Sequence, residues 1–365
     1  MQSDRFRPLL ASRGPYGSVY FDDSHDTADA AAQLDIKWRH LRTQLEEQGA
    51  DPAITDRLEA AIRRSDPAVG KSGRAVVAGP DGVMLNEHLI GPTPAPVVRV
   101  SNLPYIVPVV EHGLEDPAYL VVAVDHTGGD LALHHYGRMR KETVDGGGYP
   151  VHKAHRAETP GFGDPQPRTE EARRKNVQAV ADRVTALVDD SGPEVVFVVG
   201  EVQSRNDFID SVPERVADRA VELGVGARTS IDDDALREAI STEFQLRRRN
   251  VIDDAAERFQ AELGRGSGLA TEGLAGVTAA LRAAAVDTLI IGDMGDVTVV
   301  AGDELATVSP NADVLSQLGE PPTQVLRADE ALPMVAVSIG AKLVPAEDRV
   351  TPTEGVGALL RFPVG

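Results

Sequence analysis

The run YLVVAV, from Tyr119 to Val124, opens the segment that decides the fold, and the run VVFVV, from Val195 to Val199, closes it. Both runs are short, apolar and rich in β-branched residues, which predicts buried strands. Between them, the alternating run from Leu131 to Tyr136 predicts a strand that pairs back as a hairpin. The stretch from Thr169 to Val188 predicts a long helix with one apolar face. The segment therefore predicts an α/β unit in which a sheet and a helix hold the residues that connect them.

A long irregular segment, from Arg138 to Arg168, joins the predicted hairpin to the predicted helix and is dense in Gly, Pro and His. Loops of this length without their own secondary structure are uncommon in compact domains and are usually functional or disordered. The three glycines from Gly146 to Gly148 permit positive φ angles and a close approach of the backbone to a ligand. We interpret this loop as the working tip of the unit; the alternative is a disordered surface loop that is basic by chance.

The chain is strongly acidic, with a formal net charge of −20, yet the loop is a basic island. The segment from His134 to Arg156 contains the cations Arg138, Arg140, Lys141, Lys153 and Arg156 against the acids Glu142 and Asp145. This asymmetry predicts a local polyanion partner for the loop.

Scarce lysine and few aromatic residues favour adaptation to high salt over an ordinary acidic surface. At molar salt the Debye length is about 3 Å, so the negative charge of the whole chain would not prevent the loop from binding a polyanion through local contacts.

Composition also indicates the subcellular location of the protein. There is no cysteine, which excludes a disulfide framework and a thiolate metal site. No apolar run reaches membrane-spanning length, and the first residues do not resemble a signal peptide. We therefore expect a soluble, cytoplasmic protein with no membrane partner.

A chain of 365 residues is too long for one ordinary core, so several domains are expected. We predict three α/β domains, at residues 1–116, 117–247 and 248–365. In the middle domain, the pattern from Asn206 to Leu223 predicts a helix that Pro213 either bends or begins, and the pattern from Gly224 to Thr229 predicts a short strand.

Several motifs carry no chemistry on inspection. The glycines at Gly264, Gly266 and Gly268 follow a helix and lack the Gly-Lys-Ser/Thr ending of a phosphate loop, so they are interpreted as a linker. His152 and His155 lack the His-Glu-x-x-His pattern of a zinc site, and between cations they are better suited to RNA phosphates or to stacking on bases. The Arg247–Arg249 run is more often a solvated helix face than an RNA site. We expect no metal and no cofactor.

The order of strand, hairpin, glycine-rich loop, long helix and strand resembles that of the archaeal–eukaryotic class-one peptide-release factors. Their relatives include the Pelota rescue factors, the Vms-type tRNA-releasing factors and the bacterial Balon-like hibernation factors. The segments that carry the resemblance are Asp145–Tyr149, the basic follow-on Val151–Arg156 and the helix Thr169–Val188, and the likeness covers roughly residues 117–345. The stretch DGGGYPVHKAHRAETPGFGDP looks closest to the actinobacterial Balon-like branch. The resemblance implies a three-domain release-factor-like fold whose middle-domain tip reaches the peptidyl-transferase centre.

The departures from the family are informative. Release factors carry Gly-Gly-Gln, whose glutamine helps water to attack the peptidyl-tRNA ester, whereas Gly147 and Gly148 are followed here by Tyr149. Gln166 is in the same loop but far from the glycines. The stop-codon motifs of release factors are also missing from residues 1–116. We therefore do not expect a role in translation termination. What the resemblance still implies is a shape that fits the ribosomal A site.

The leading hypothesis is a ribosome-binding factor that occupies the vacant A site of idle ribosomes. The first domain would then lie near the decoding centre, and the third, with its helix-then-strand segment Gly273–Asp293, would contact an elongation-type GTPase. No catalytic residue is assigned. The RNA-contact residues in this hypothesis are Arg138, Arg140, Lys141, Gly146, Gly147, Gly148, Tyr149, His152, Lys153, His155 and Arg156.

Two alternatives stay open. A peptidyl-tRNA hydrolase or tRNA-releasing rescue factor would require Gln166, His152 or His155 to position or activate the attacking water, and a histidine near its ordinary pKa is a suitable base. The other alternative is an acidic scaffold unconnected to ribosomes.

Overall fold

The computed structural model describes residues 3–24, 30–64, 72–91, 93–113, 117–135, 138–145 and 165–364. The chain divides into two compact units, one made of residues 1–114 together with 248–365, the other of residues 115–247. Both combine helices with sheets, so the multidomain α/β class predicted from the sequence is confirmed. The three predicted domains, at residues 1–116, 117–247 and 248–365, stay a prediction. The division into compact units groups residues 1–114 with residues 248–365.

The N-terminal part of the first unit is an antiparallel four-stranded sheet in the order β3-β2-β1-β4. On one face, Trp38, Leu41 and Leu45 of the first helix pack against the sheet, as their helical spacing predicts. The elements are β1 (Tyr16–Asp22), α1 (Ala30–Glu47), α2 (Pro52–Arg64), β2 (Gly73–Gly79), β3 (Gly82–Leu89), β4 (Val97–Ser101) and α3 (Val107–His112), after a 3₁₀ segment at Ser3–Leu10.

The second unit is a five-stranded mixed sheet in the order β7-β6-β5-β8-β9. Its elements are β5 (Tyr119–Val124), β6 (Gly128–His135), β7 (Arg138–Asp145), α4 (Pro165–Ser191), β8 (Val195–Val199), α5 (Val202–Ser211), α6 (Glu214–Ala217) and β9 (Ala220–Leu223). Strands β5, β8 and β9 run parallel, whereas β6 and β7 are antiparallel to their neighbours. One face of the sheet packs on α4 and α5, and the other on the first half of α7 (Asp233–Arg265). The apolar runs that the sequence analysis began from are therefore the buried strands β5 and β8.

The prediction of an irregular loop starting at Arg138 is wrong for its first eight residues, because Arg138–Asp145 is the strand β7. The sequence RMRKETVD has only Met139 and Val144 as apolar positions, so it lacks the alternation that announces a half-buried strand. Its conformation is fixed instead by an unbroken antiparallel register with β6. The segment that connects β7 to α4 therefore begins at residue 146.

The prediction of a continuous helix from Asn206 to Leu223 is wrong, whereas the alternative that Pro213 marks a helix start is confirmed for α6. Helix α5 ends at Ser211, and Pro213 caps the short helix α6, because a proline ring lacks the N–H that a helix interior needs. Residues 220–223 are strand β9, which pairs in parallel with β8. The strand predicted at Gly224–Thr229 is absent from this described part of the chain, where a 3₁₀ turn at Arg228–Ser230 follows instead.

The C-terminal part of the first unit holds a four-stranded sheet in the order β10-β15-β11-β14 and a two-stranded sheet, β12-β13. The elements are β10 (Ala270–Glu272), α8 (Gly273–Arg282), β11 (Val286–Ile291), β12 (Thr298–Ala301), α9 (Ala312–Gln317), β13 (Gln324–Arg327), α10 (Ala328–Ser338), β14 (Lys342–Pro345) and β15 (Val356–Leu360). Its core is continuous with residues of the N-terminal part, such as Phe6 and Tyr20. None of the helices in the described ranges is both long and apolar enough to span a membrane.

Candidate nucleic-acid interface

The predicted RNA-contact residues divide between described and undescribed parts of the chain. Gly146, Gly147, Gly148, Tyr149, His152, Lys153, His155 and Arg156 lie outside the described residues. The backbone of Arg138 begins β7 and that of Gln166 lies in the first turn of α4, but their side chains also lie outside the description. Arg140 and Lys141 are described, and both are exposed on β7.

The frame around the glycine-rich loop is set by the end of β7 and the start of α4. Asp145, the last residue of β7, pairs with Gly128 beside the turn between β5 and β6. Asn176 of α4 donates a hydrogen bond from Nδ2 to the carbonyl oxygen of His126 in the same turn, at 3.0 Å. Eleven residues separate Pro165 from Asn176, so roughly 16 Å of helix precedes the level of this turn. The first three turns of α4 therefore project beyond the sheet, on the side where the loop begins and ends.

The two described cations of β7 point to opposite faces of the hairpin. Arg140 lies opposite Leu133, whose side chain packs on the α4 face, whereas Lys141 lies opposite Ala132, which packs on the α7 face. Successive side chains of a strand alternate between faces, so one strand cannot present both to a single surface. Arg138 is seven residues from Asp145, about 24 Å along an extended strand. The strand cations and the loop cations, which are neighbours in sequence, are therefore spread along the hairpin.

A paired carboxylate ties β7 to α4. Arg183 donates from Nε and Nη2 to the two carboxylate oxygens of Glu142, at 2.6 and 2.7 Å. These hydrogen bonds, followed by the attraction of the guanidinium charges, hold the pKa of Glu142 below its ordinary value. The nearest Arg140 nitrogen is 3.8 Å from the same carboxylate, and the Arg140 side chain is 67% exposed. Because Arg183 neutralises Glu142, Arg140 can present its charge to an external phosphate.

The structure adds three cations that the sequence analysis did not select. Arg173, Arg174 and Lys175 lie exposed on the projecting part of α4, where Lys175 pairs with Glu171 at 2.9 Å. Their signal was present in the sequence as three consecutive basic residues, just before the buried Asn176. The described part of the interface is thus a hairpin and a helix that carry cations on either side of the loop.

In the arginine run of α7, Arg247 and Arg249 are exposed, as a solvated helix face predicts, whereas Arg248 has a structural role. Arg248 donates from Nη2 to the carbonyl oxygens of Val110 and Glu111, at 3.0 and 2.6 Å, and its side chain is 13% exposed. It therefore caps the C-terminal end of α3, where unpaired helix carbonyls need donors. Arg247 pairs with Glu243 at 2.8 Å. These contacts favour the glycine-rich loop over the arginine run as the RNA-contact element.

Metal chemistry finds no support in the described residues, among which no group of three or more His, Asp or Glu side chains is arranged to hold an ion. The candidate catalytic groups His152, His155 and the Gln166 side chain lie outside those residues. The described geometry therefore supports binding of a polyanion and assigns no catalytic group.

Replacing Arg183 with Met tests how the hairpin is held. We expect the free energy of unfolding of the second unit to fall by about 1 kcal/mol, near the upper end for a surface ion pair, because the geometry is bidentate and each side chain is only 31% exposed. Because the pKa of Glu142 is lower in the folded than in the unfolded protein, the pair stabilises the fold fully at pH values above the unfolded-state pKa of Glu142. This stabilisation is lost as the pH falls through the folded-state pKa of Glu142. The difference between wild type and variant should therefore vanish in acid, and the pKa of Glu142, followed by NMR, should rise in the variant.

Arg215→Met is the matched control for Arg183→Met. Arg215 makes the same two-bond contact with Asp189 of α4, at 3.0 and 2.8 Å, but both side chains are about half exposed. A smaller loss is expected there because solvent screens the pair. Equal losses in the two variants would show that Glu142–Arg183 does not specifically anchor the hairpin.

Comparison with known proteins gives matches at the level of sequence family and of structure. Residues 118–265 match the model of bacterial archaeo-eukaryotic release factor family 2. The chain is 51% identical over 363 residues to the Mycobacterium tuberculosis (strain H37Rv) protein Rv2629, covering 99% of this chain and 97% of that protein. The same values hold for MT2704 of M. tuberculosis strain CDC 1551.

Two solved structures are also similar to this chain. A model of ribosome-bound archaeal Pelota and ABCE1 is 16% identical, with a TM-score of 0.43 and coverage of 100% of this chain and 95% of that chain. Archaeoglobus fulgidus Pelota is 15% identical, with a TM-score of 0.36 and coverage of 80% of each chain.

Proposed function

Because the chain belongs to the archaeal–eukaryotic release-factor-like superfamily, we propose that it is a translation factor that occupies the vacant A site of idle ribosomes and keeps it closed. Membership of this superfamily, a group of ribosome-associated translation factors, confirms the resemblance found in the sequence. The A-site role, the role in hibernation and stress, and the adaptation to high salt are our proposal.

The observation that carries the proposal is the loop between β7 and α4. It contains Gly146–Gly148 and the cations Lys153 and Arg156, but Tyr149 stands where release factors have the glutamine that assists hydrolysis. A loop with this composition can approach RNA closely and neutralise phosphates without performing chemistry. Occupation of the site without hydrolysis is what a factor that silences the ribosome requires.

The negative charge of the whole chain is compatible with such a contact. At physiological ionic strength the Debye length is about 8 Å, so acidic side chains further than this from the loop contribute little repulsion. Of the described cations, Arg173 and Arg174 are exposed on the projecting part of α4, on the side of the sheet where the loop ends, whereas Arg140 lies five residues before the end of β7. In this proposal residues 1–116 lie near the decoding centre, and residues 248–365 contact an elongation-type GTPase.

Ribosome co-sedimentation at the ionic strength of the native cell tests the proposal. Wild type should pellet with ribosomes, and the Lys153→Glu/Arg156→Glu variant should bind at least about tenfold more weakly, because two charge-assisted contacts are replaced by repulsion. Arg237→Glu/Arg258→Glu makes the same change in net charge at exposed positions of α7 and should bind as wild type does. Failure of the wild-type protein to pellet would leave the acidic scaffold as the better hypothesis.

The same preparation separates a binding factor from a hydrolase. Ribosomes that carry peptidyl-tRNA should retain the peptide in the presence of the wild-type protein. Release of the peptide that is lost in Gln166→Ala would overturn the non-catalytic proposal and favour a peptidyl-tRNA hydrolase that uses Gln166.

A further inference from the structure

A cleft of about 680 Å³ lies beside the outer strand of the N-terminal sheet, within the first unit. One wall is β4 from Val98 onward, the other is β13 from Val325 to Arg327, and Gln48, Asp296 and Glu330 complete it. We call it the edge cleft. We propose that the edge cleft binds an extended segment, bearing lysine or arginine, of a ribosomal protein, an inference that rests on the proposed function.

The outer edge of β4 has backbone N–H and C=O groups that can pair with another strand. β4 is the last strand of its sheet, and on its outer side the Gln48 side chain donates from Nε2 to the Val98 carbonyl and accepts from the Val100 N–H, both at 3.0 Å. A residue of a neighbouring strand would make the same two bonds, since the N–H and C=O groups of alternate residues point to one side. Gln48 is exposed, so its side chain can leave when a strand takes its place.

The opposite wall provides an apolar contact and a second strand. Val325 is 72% exposed, the largest exposed fraction among the exposed large hydrophobic side chains of the described residues. It lies on β13, which pairs with β12 in a two-stranded sheet. The other face of this sheet is packed on the core through Val299 and Leu326, so a segment that covers Val325 would bury an apolar side chain that is now exposed. Adding a strand to an exposed edge is a common way to recognise an extended peptide.

The charges of the edge cleft select a basic peptide over RNA. Two carboxylates of the lining, Asp296 and Glu330, and that of Asp329 next to it face the guanidinium groups of Arg99 and Arg327, which are already bonded to them. One negative charge remains, and the Asp296 side chain is 96% exposed. A phosphate would meet carboxylates and occupied guanidinium groups, whereas a lysine could bond the exposed Asp296 carboxylate, of which one oxygen already accepts from Arg327 at 2.6 Å. On the ribosome, which consists of RNA and protein, this acidic surface is therefore complementary to a basic protein segment and not to RNA.

A photocrosslinker at position 325 tests the inference. p-Benzoylphenylalanine is introduced at Val325 in the full chain, the protein is bound to ribosomes, and the crosslinked species are identified after irradiation. Val202, an exposed valine of the second unit (64% exposed), is the control position. We expect position 325, and not position 202, to crosslink to a basic segment of a ribosomal protein. Combining the crosslinker with Gln48→Ala should raise the yield about fivefold, because the incoming strand no longer displaces two hydrogen bonds.

The outcomes separate this inference from the proposed function. Co-sedimentation together with a protein crosslink that Gln48→Ala strengthens supports both. Co-sedimentation with crosslinks to rRNA only, with none to protein, or with a yield that Gln48→Ala leaves unchanged overturns the edge-cleft inference and leaves the proposed function intact. Loss of co-sedimentation in the unmodified protein overturns both.

Discussion

Replacing Arg99 with methionine is expected to lower the free energy of unfolding of the first unit by about 3–5 kcal/mol. Arg99 donates from Nη1 to Asp329 at 3.1 Å and to Glu330 at 3.2 Å. The Glu330 side chain is 1% exposed, and its other partner is the hydroxyl of Ser101. Removing Arg99 leaves this buried carboxylate without its compensating charge, which is the costly way to break a buried pair. Methionine keeps an apolar chain against the Tyr105 ring, over which the guanidinium lies at 4.0 Å.

The pH dependence of this loss identifies the group responsible. Burial, the largest effect, raises the pKa of Glu330 above its ordinary value. Between the unfolded-state and folded-state pKa values the folded protein binds more protons, so stability falls as the pH rises through this window. Without Arg99 the window should extend to higher pH, and acidification should restore part of the lost stability. Denaturant unfolding of wild type and variant at pH 7 and at mildly acidic pH measures both effects.

Arg237→Met provides the control for Arg99→Met. Arg237 is 62% exposed and pairs with Asp234, which is 86% exposed, so its loss should change stability by no more than about 0.5 kcal/mol. A loss in Arg99→Met that is below 1 kcal/mol, or that does not shrink on acidification, would show that the buried carboxylate is compensated in another way.

Phe197→Ala should destabilise the second unit by about 3–5 kcal/mol. Phe197 is completely buried in β8 and makes edge-on contacts with Tyr119 at 5.7 Å and Phe244 at 5.5 Å between ring centroids. Truncation removes the ring that joins the sheet to α7 and leaves a cavity between them. Because β5, β6 and α4 share this unit with β8, the frame that holds the glycine-rich loop should loosen and ribosome binding should weaken as well.

Native-state hydrogen exchange localises the Phe197→Ala effect. Amides of the second unit should exchange faster in the variant, while those of residues 3–113 keep their wild-type rates, because local stability follows the cooperative unit. Phe362→Ala is the control, since Phe362 is 48% exposed and its truncation creates no buried cavity. Equally faster exchange in residues 3–113 would show that the two units do not unfold separately.

The elements that could be predicted from the sequence are those whose stability is local or whose faces are strongly apolar. β8 is an unbroken apolar run, and the helix predicted from Thr169 to Val188 is observed within α4, from Pro165 to Ser191, because its apolar face repeats at helical spacing. β7 and β9 were missed. β7 is held by its register with β6, and β9 has only four residues, so neither carries its own periodic signal.

The candidate interface shows the same limit. The sequence locates the glycine-rich loop and its cations, since these are local runs. It does not reveal that Arg140 and Lys141 point to opposite faces, because that requires the strand assignment. Nor does it reveal that Arg183 neutralises Glu142, or that Gln48 covers the edge of β4, because these partners are 41 and about 50 residues apart.

The charged character of β7 has a consequence for the protein at high concentration. β7 is the outermost strand of its sheet, and its eight residues include five charged ones, Arg138, Arg140, Lys141, Glu142 and Asp145. An open strand edge is a template on which another chain can add, which begins aggregation. Charged side chains on an edge strand discourage such pairing, because a second copy that added along β7 would have to desolvate them. We therefore expect the protein to reach high concentration without forming sheet-to-sheet aggregates through this edge.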